Sequence, residues 1–214
     1  MADDVKGRRR YHSPLRVEQA DGTRRRVLAA ARDLFLARGY GGTTVAAVAR
    51  AAGVSPDTIY VSLGGKQGLL EGVLGLARSD PEDPAHHDQD HRRDEIGALV
   101  DPHQRLRRLV ELSSETLART SPVHAVLRGA ADGHPFAADL CTRMLRIRLQ
   151  IQTRNLETYL GTSLRPGLTV KQAAERYSAL LSPELYHLLT VDHRWTTRRY
   201  SSWVTELLDH DLLG

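Results

Sequence analysis

A polar segment in the first third of the chain, Ser55-Pro56-Asp57-Thr58, has the residue types of a helix start. A serine side chain can cap free N–H groups, and proline is favoured at the first helical position. Those N–H groups and the positive end of the helix dipole favour nearby phosphate oxygens. Tyr60 and Lys66, which follow, are suited to contacts with a nucleic-acid backbone that fix register without reading sequence.

The elements around this segment predict how it is presented. Two short helices are joined by Ala52-Gly53-Val54, and the small residue Ala49 lies where the helices must approach each other. Gly53 can adopt the left-handed conformation that the turn requires. The pattern predicts a helix-turn-helix whose second helix points its N-terminus into a major groove. The alternative is an ordinary helical hairpin with one solvated face.

Helical periodicity dominates the chain, and sustained strand-like alternation is almost absent, so the predicted fold class is all-α. The first helix is expected to end at Gly39, and Thr43 or Thr44 can cap the second. A third helix follows Ser55, and a fourth follows Gly64-Gly65. The later helices are expected near 102–119, 122–131 and 135–160, from 169 or 170 to 181, again after Ser182, and from 196 to 208.

Composition divides the chain into three expected regions. These are a flexible basic arm (1–22), a helix-turn-helix domain (23–78) and a helical regulatory and dimerisation domain (79–214), which opens with a mobile connector at 79–95. The net charge is +4, and residues 24–78 hold eight arginines and lysines against three acids. This excess of positive charge indicates a module that binds a polyanion.

The stretch VLAAARDLFLARGYGGTTVAAVARAAGVSPDTIYVSLGGKQGLLEGVL resembles the N-terminal domain of the TetR family of transcriptional regulators. The resemblance rests on Phe35 with Gly39-Tyr40, on Thr43-Thr44-Val45, on the segment from Ala49 to Ser55, and on Thr58-Ile59-Tyr60 with Lys66. It implies a helix-turn-helix DNA-binding domain joined to a larger helical domain for ligand binding and dimerisation. It also implies a homodimer that binds a palindromic double-stranded DNA operator, usually as a repressor released by a small-molecule effector.

The resemblance also implies roles for individual residues. Thr44 and Arg50 become candidates for phosphate contacts, and Val61 joins Ser55, Pro56, Asp57 and Thr58 on the groove side. Tyr60 and Lys66 are expected on the DNA backbone. Two positions depart from the family pattern: Leu63 stands where an aromatic residue is usual, and Gly65 stands where a stronger helix cap is usual.

Two further features of this region have alternative interpretations. Asp57 can accept a hydrogen bond from cytosine N4, or it can stabilise the helix dipole; we favour the dipole. The segment VKGRRRYHSPLR can lie in an adjacent minor groove, or it can be a disordered, solubilising tail.

A ligand pocket is expected among the helices of 102–191, where bulky and polar residues are mixed. The candidate contacts are His124, Arg128, Phe136, Met144, Arg148, Tyr159, Tyr177 and Tyr186. Arg128 and Arg148 are of special interest, because a buried guanidinium needs an anionic partner. That partner is either an acidic effector or a carboxylate from a neighbouring helix.

Dimerisation is expected to use the apolar-striped helices Ala173–Leu189 and Tyr200–Leu212, as half of a four-helix bundle. The alternative is that both helices complete the core of a monomer. The stretch HHDQDH at 86–91, with His103, offers metal-ligand types, but we interpret it as a solvated linker and expect no metal site.

No catalytic or cofactor motif is recognisable, so we expect neither an enzyme nor a bound cofactor. The single cysteine, Cys141, and the lack of a membrane-length apolar run favour a cytoplasmic protein without membrane partners. The alternatives to an effector-released repressor are an activator, a regulator controlled by a protein partner, and a carrier or enzyme that uses the C-terminal cavity.

Overall fold

The computed structural model describes the backbone of residues 14–78 and 89–214, and the side chains of residues 18–78 and 94–214. Its described residues form helices and no strands, which confirms the all-α prediction. The N-terminal helices are α1 (Pro14–Arg38), α2 (Val45–Ala52), α3 (Pro56–Leu63) and α4 (Lys66–Arg78). The later ones are α5 (Gln89–Ala98), α6 (Pro102–Ala131), α7 (Pro135–Leu160), α8 (Val170–Leu180), α9 (Pro183–His187), a π-helical turn (Leu188–Asp192) and α10 (Thr197–Leu212). None of these helices is long and apolar enough to cross a membrane.

Side-chain caps start several helices where the sequence predicts them. Thr44 Oγ1 accepts a hydrogen bond from the N–H of Ala47, and Ser55 Oγ accepts one from Thr58. Thr169 starts α8 with a reciprocal pair of hydrogen bonds to Gln172, the capping-box arrangement. Ser182 caps α9 through the N–H of Leu185.

Several boundaries differ from the sequence prediction, and the last helix ends at Leu212 rather than at 208. Helix α1 begins at Pro14, so residues 14–22 of the predicted arm are helical, while 1–13 lie outside the described residues. The predicted connector is helical from Gln89 onward, and 79–88 lie outside the described residues. The helices expected near 102–119 and 122–131 form one continuous helix with Pro122 inside it.

Helix α6 continues through Pro122 because tertiary packing holds both sides of the proline. Leu117 belongs to one buried cluster and Val123 and Leu127 belong to another, so both halves of the helix are anchored. The proline removes one backbone hydrogen bond, a local cost that this packing offsets.

The core consists of two clusters. The first combines α1 to α4, including Phe35, Ile59 and Leu70, with residues from the adjoining ends of α6 and α7. The second lies among α5 to α10 and includes Leu106, Leu156 and Tyr200, each fully buried. The N-terminal helices therefore share a core with the helical body, although the sequence divides the chain near residue 78.

Candidate nucleic-acid interface and ligand cavity

The helix-turn-helix geometry depends on a tight turn after α2. Gly53 has φ 67°, the left-handed conformation, and its N–H bonds back to the carbonyls of Ala49 and Arg50. The N–H of Val54 donates to the Ala49 carbonyl at 3.0 Å. Because Ala49 is buried and small, α2 and α3 can approach each other at this turn.

The N-terminal tip of α3 faces solvent. Ser55, Pro56, Asp57 and Thr58 are all exposed. Ile59, in contrast, is fully buried and packs α3 against the first core cluster. The side chain of Val61 is 89% exposed and that of Tyr60 is 57% exposed. The described part of the chain thus leaves the tip and the outer face of α3 open to a partner.

Basic residues of α1 adjoin this surface. Arg24 Nη1 donates to the Ser62 carbonyl at 3.4 Å, so the C-terminal half of α3 lies against the start of the arginine run Arg24–Arg26. All three arginines are exposed, as is Arg50 at the end of α2. Arg24 was not among the residues predicted for the site. Its signal in the sequence was only a run of like charges.

Tyr60 and Lys66 are positioned by the turn between α3 and α4. Gly65 has φ 84°, and a Cβ built there would lie 3.0 Å from the Tyr60 ring. Lys66 is half-buried, with Nζ 4.3 Å from the centroid of the Tyr40 ring, and burial lowers its pKa. Tyr40 in turn makes an edge-to-face contact with His134, at 5.0 Å between ring centroids. The Lys66 ammonium group is therefore held against an aromatic ring rather than extended into solvent.

A cavity of about 260 Å³ lies in the helical body. Its apolar wall includes Leu109, Leu112, Met144, Ile147 and Ile151. Its polar wall contains Arg78, Ser113, Glu115, Thr116, Arg119, Thr120, His124, Arg148, Gln152, Asn155 and Tyr159. A mixed apolar and polar lining of this kind is typical of small-molecule sites.

Burial changes the ionisation of two groups in this cavity. Burial, with the nearby charge of Arg148 as the second cause, lowers the pKa of His124 from 6.5 to about 4. Burial also lowers the pKa of Arg148, although a guanidinium of this kind stays charged at neutral pH. The imidazole is therefore uncharged at neutral pH beside a charged guanidinium.

Comparisons with known proteins identify the family. The model of the bacterial regulatory proteins, tetR family, matches residues 27–73. The HTH-type transcriptional regulator TtgR of Pseudomonas putida is 31% identical over 160 residues, which are 72% of this chain and 69% of TtgR. The chain belongs to the TetR family.

Two solved structures of regulators share the fold of this TetR-family protein. NalD, the secondary repressor of the MexAB-OprM multidrug efflux pump in Pseudomonas aeruginosa, is 21% identical with a TM-score of 0.65. That match covers 91% of this chain and 98% of NalD. A transcriptional regulator from Saccharomonospora viridis in complex with choline is 22% identical, with a TM-score of 0.65 over 91% of this chain and 99% of the other.

Half of the predicted ligand contacts line the cavity of this TetR-family protein. His124, Met144, Arg148 and Tyr159 do so, and the other four predicted residues do not. Arg128 is exposed, with Nε 3.9 Å from Glu184 Oε1, so the partner of this arginine is a carboxylate of the chain itself. Phe136 packs on the first core cluster instead.

The two remaining tyrosines are core residues whose hydroxyl groups are satisfied within the chain. Tyr177 is buried, with its hydroxyl 2.9 Å from that of Ser113. Tyr186 is also buried, with its hydroxyl 2.6 Å from that of Thr197. Both hydroxyl groups therefore have partners within the chain, and neither tyrosine lines the cavity.

Gln152 and Asn155 line the cavity and were not predicted from the sequence. A signal was present, because Met144, Arg148, Gln152 and Tyr159 recur at helical spacing and therefore share one face of α7. Glutamine and asparagine are also common on solvated faces, so their type alone did not indicate a cavity.

The apolar stripes of the predicted dimerisation helices face the chain's own core. Ala173 and Tyr177 on α8, and Tyr200, Val204 and Leu208 on α10, are buried in the second cluster. These side chains therefore complete the chain's own core, and dimerisation through the two helices stays a prediction. The same region still carries outward apolar side chains on other faces, which are Leu188, Val191 and Leu207.

The histidine-rich stretch at 86–91 lies outside the residues whose side chains are described. His103 is described, and its Nδ1 lies 2.7 Å from Asp209 Oδ1. That hydrogen bond raises the pKa of His103. Among the described side chains, no group of three or more His, Cys, Asp or Glu residues is placed to hold a metal ion.

Proposed function

We propose that this TetR-family protein is a homodimeric repressor that binds a palindromic operator and is released by a small-molecule effector. The observation that carries the proposal is the open N-terminal tip of α3, with exposed arginines on the helices beside it. A helix end of this kind enters a major groove in helix-turn-helix proteins. The repressor role is supported by the similarity to NalD, which is a repressor.

The proposed DNA surface assigns one task to each group of residues. Pro56, Asp57, Thr58 and Val61 face the bases, and Ser55 caps the helix beside them. Arg24 and Arg50 are proposed to contact phosphates, because both are exposed, Arg24 on α1 beside Ser62 of α3 and Arg50 on α2. Thr44 and Tyr60 present exposed hydroxyl-bearing side chains near the same surface. Lys66 is assigned to the DNA backbone by the family resemblance, and its ammonium group also contacts the Tyr40 ring.

The proposed link between the effector and the DNA is α4. Its last residue, Arg78, lines the cavity. At its other end the turn at Gly65 touches the Tyr60 ring. A ligand that shifts Arg78 therefore acts on an element that also positions α3, and such coupling is typically worth about 1–3 kcal/mol.

Dimerisation is proposed through the C-terminal helices, as membership of the TetR family suggests, and the outward apolar side chains of this region are Leu188, Val191 and Leu207. A two-fold pair of recognition helices would then meet half-sites about 34–36 Å apart. Light scattering at micromolar concentration measures the mass directly. A monomer at that concentration contradicts this part of the proposal.

DNA binding is tested by gel shift with the DNA that flanks the protein's own gene. The chain offers a matched pair of valines, since Val61 is 89% exposed on α3 and Val100 is 91% exposed between α5 and α6. Val61→Glu places a carboxylate against phosphates, and we expect at least about a tenfold loss of affinity. Val100→Glu should bind as the unmodified protein does, and equal binding by both variants contradicts the proposed surface.

A further inference from the structure

The cavity lining presents buried polar atoms that no described residue satisfies. Nε of Arg148 and Oε1 of Gln152 are buried without a hydrogen bond to the described part of the chain. The two residues are one turn apart on α7, so they lie on the same face and line the same cavity. Leaving a buried donor or acceptor unsatisfied is unfavourable, so a ligand that supplies hydrogen-bond partners to these atoms is stabilised in the cavity.

The charged side chains of the lining are mostly positive. Arg78, Arg119 and Arg148 line the cavity, and Glu115 is the acid among the lining residues. Glu184 acts on Arg148 at longer range, but its Oε1 lies 3.9 Å from Arg128. Because positive charge predominates, the cavity favours an anion over a cation.

The apolar residues of the cavity lining determine which kind of non-polar group the ligand can carry. These residues are aliphatic and include Leu109, Leu112, Ile147 and Ile151, whereas the ring of Tyr159 belongs to the polar wall. The volume of about 260 Å³ is below the roughly 300–1,000 Å³ of drug-sized sites. A slender aliphatic molecule fits this volume better than a large ring system.

We propose that the effector is a small amphipathic carboxylate with an aliphatic chain, bound through Arg148 and Gln152. The carboxylate accepts a hydrogen bond from Arg148 Nε. Rotation of the Gln152 amide exchanges its oxygen and its NH₂ group, so that side chain can donate a second hydrogen bond. The aliphatic chain lies along the leucine and isoleucine wall. This inference rests on the proposed ligand-controlled function and specifies its effector class.

The test is isothermal titration of the full-length protein with decanoate, decanamide and decylamine below their micelle concentrations. These three molecules share a chain length and differ in head-group charge. We expect decanoate to bind at least about tenfold more tightly than decanamide, and decylamine to bind more weakly than both. Equal binding of decanoate and decanamide, or tighter binding of decylamine, overturns the inference.

A pair of arginine variants on α7 locates the head group. Arg148→Met should lower decanoate affinity at least about tenfold and remove the preference for decanoate over decanamide. Arg146→Met is the control, because Arg146 is exposed on the same helix and does not line the cavity. A preference that survives in Arg148→Met overturns the assignment. The ligand series on the unmodified protein remains decisive if that variant fails to fold.

The gel shift separates this inference from the proposed function. If the protein binds DNA but not decanoate, the effector class is wrong and the DNA surface stands. If it binds decanoate but not DNA, the ligand site stands and the regulatory role fails. Release of DNA by decanoate, absent in Arg148→Met and retained in Arg146→Met, supports both.

Discussion

His124 on α6 and Arg148 on α7 face one cavity, and the guanidinium charge disfavours protonation of the imidazole. Burial is the larger cause and acts in the same direction. The other charged groups that act on His124 are Glu184, which favours its protonation, and Arg78, which disfavours it. The imidazole is consequently uncharged in the folded protein at pH values at which an exposed histidine takes up a proton.

This pair predicts a pH-dependent stability. Because the pKa of His124 falls from 6.5 unfolded to about 4 folded, the unfolded chain binds more protons between those values. The contribution of His124 to stability is therefore fully present above pH 6.5 and falls as the pH is lowered. The contribution lost between pH 7.5 and 5 is about 2 kcal/mol. Urea unfolding measures the free energy of unfolding at both pH values. The decrease in this free energy between pH 7.5 and 5 should be smaller by about that amount in His124→Gln than in the unmodified protein.

His103 provides a control, because its pKa shift changes stability with pH in the opposite direction to that of His124. The hydrogen bond to Asp209 raises its pKa, so its contribution is present below pH 6.5 and is lost as the pH rises. His103→Gln should therefore weaken the protein at low pH and leave the His124 effect in place. Equal pH dependence in His124→Gln and the unmodified protein would contradict a buried neutral imidazole.

Two adjacent glycines allow a second prediction about the DNA surface. Gly64 and Gly65 have φ 73° and 84°, and an added Cβ meets nothing within 4 Å at Gly64 but lies 3.0 Å from the Tyr60 ring at Gly65. Each alanine substitution should cost about 1–2 kcal/mol for the left-handed conformation. Gly65→Ala should cost more, because the Tyr60 ring must also move.

Chemical denaturation of both variants, with and without Tyr60→Ala, measures this difference. The additional cost of Gly65→Ala over Gly64→Ala should largely disappear when the ring is absent. The gel shift should show weaker DNA binding for Gly65→Ala, since the turn positions Tyr60. If both alanine variants have the same stability, the turn does not hold the tyrosine.

Parts of the fold could be predicted because local chemistry determines them. Ser55, Thr169 and Ser182 each precede a helix and each forms the hydrogen bond that a cap requires. Pro122 misled the prediction, because the local rule against proline in a helix was outweighed by distant packing partners. The apolar stripes of α8 and α10 are buried in the chain's own core, and dimerisation through these helices stays a prediction.

The cavity was predictable only in part for a related reason. Met144 and Arg148 could be chosen by type, but the side chains that complete the site come from α4, α5, α6, α7 and α9 and from Leu181 after α8. Tyr177 is predicted as a ligand contact from its residue type. In the structure its hydroxyl lies beside that of Ser113, which is far away in sequence. Hydrogen bonds between distant residues determine which polar groups remain for a ligand, and sequence spacing does not reveal them.

The basic N-terminal segment gives a third prediction. Residues 1–13 lie outside the described residues. If they neutralise phosphates, deletion of 1–13 should flatten the dependence of operator affinity on salt. In a double logarithmic plot the slope should change by about 0.9 for each phosphate that is no longer neutralised. Gel shifts at several salt concentrations measure the slope, and an unchanged slope assigns these residues no part in DNA binding.

The last prediction concerns Asp57, which is exposed in the first turn of α3. A carboxylate at that position stabilises the helix dipole by about 0.3–1 kcal/mol and is repelled by phosphates. Asp57→Ala should therefore lower stability slightly and tighten binding to all DNA sequences alike. Asp57→Asn serves as the isosteric control, because it removes the charge and keeps the shape. If either variant instead loses discrimination at a single base pair, Asp57 reads that base through cytosine N4, and the dipole is not its main role.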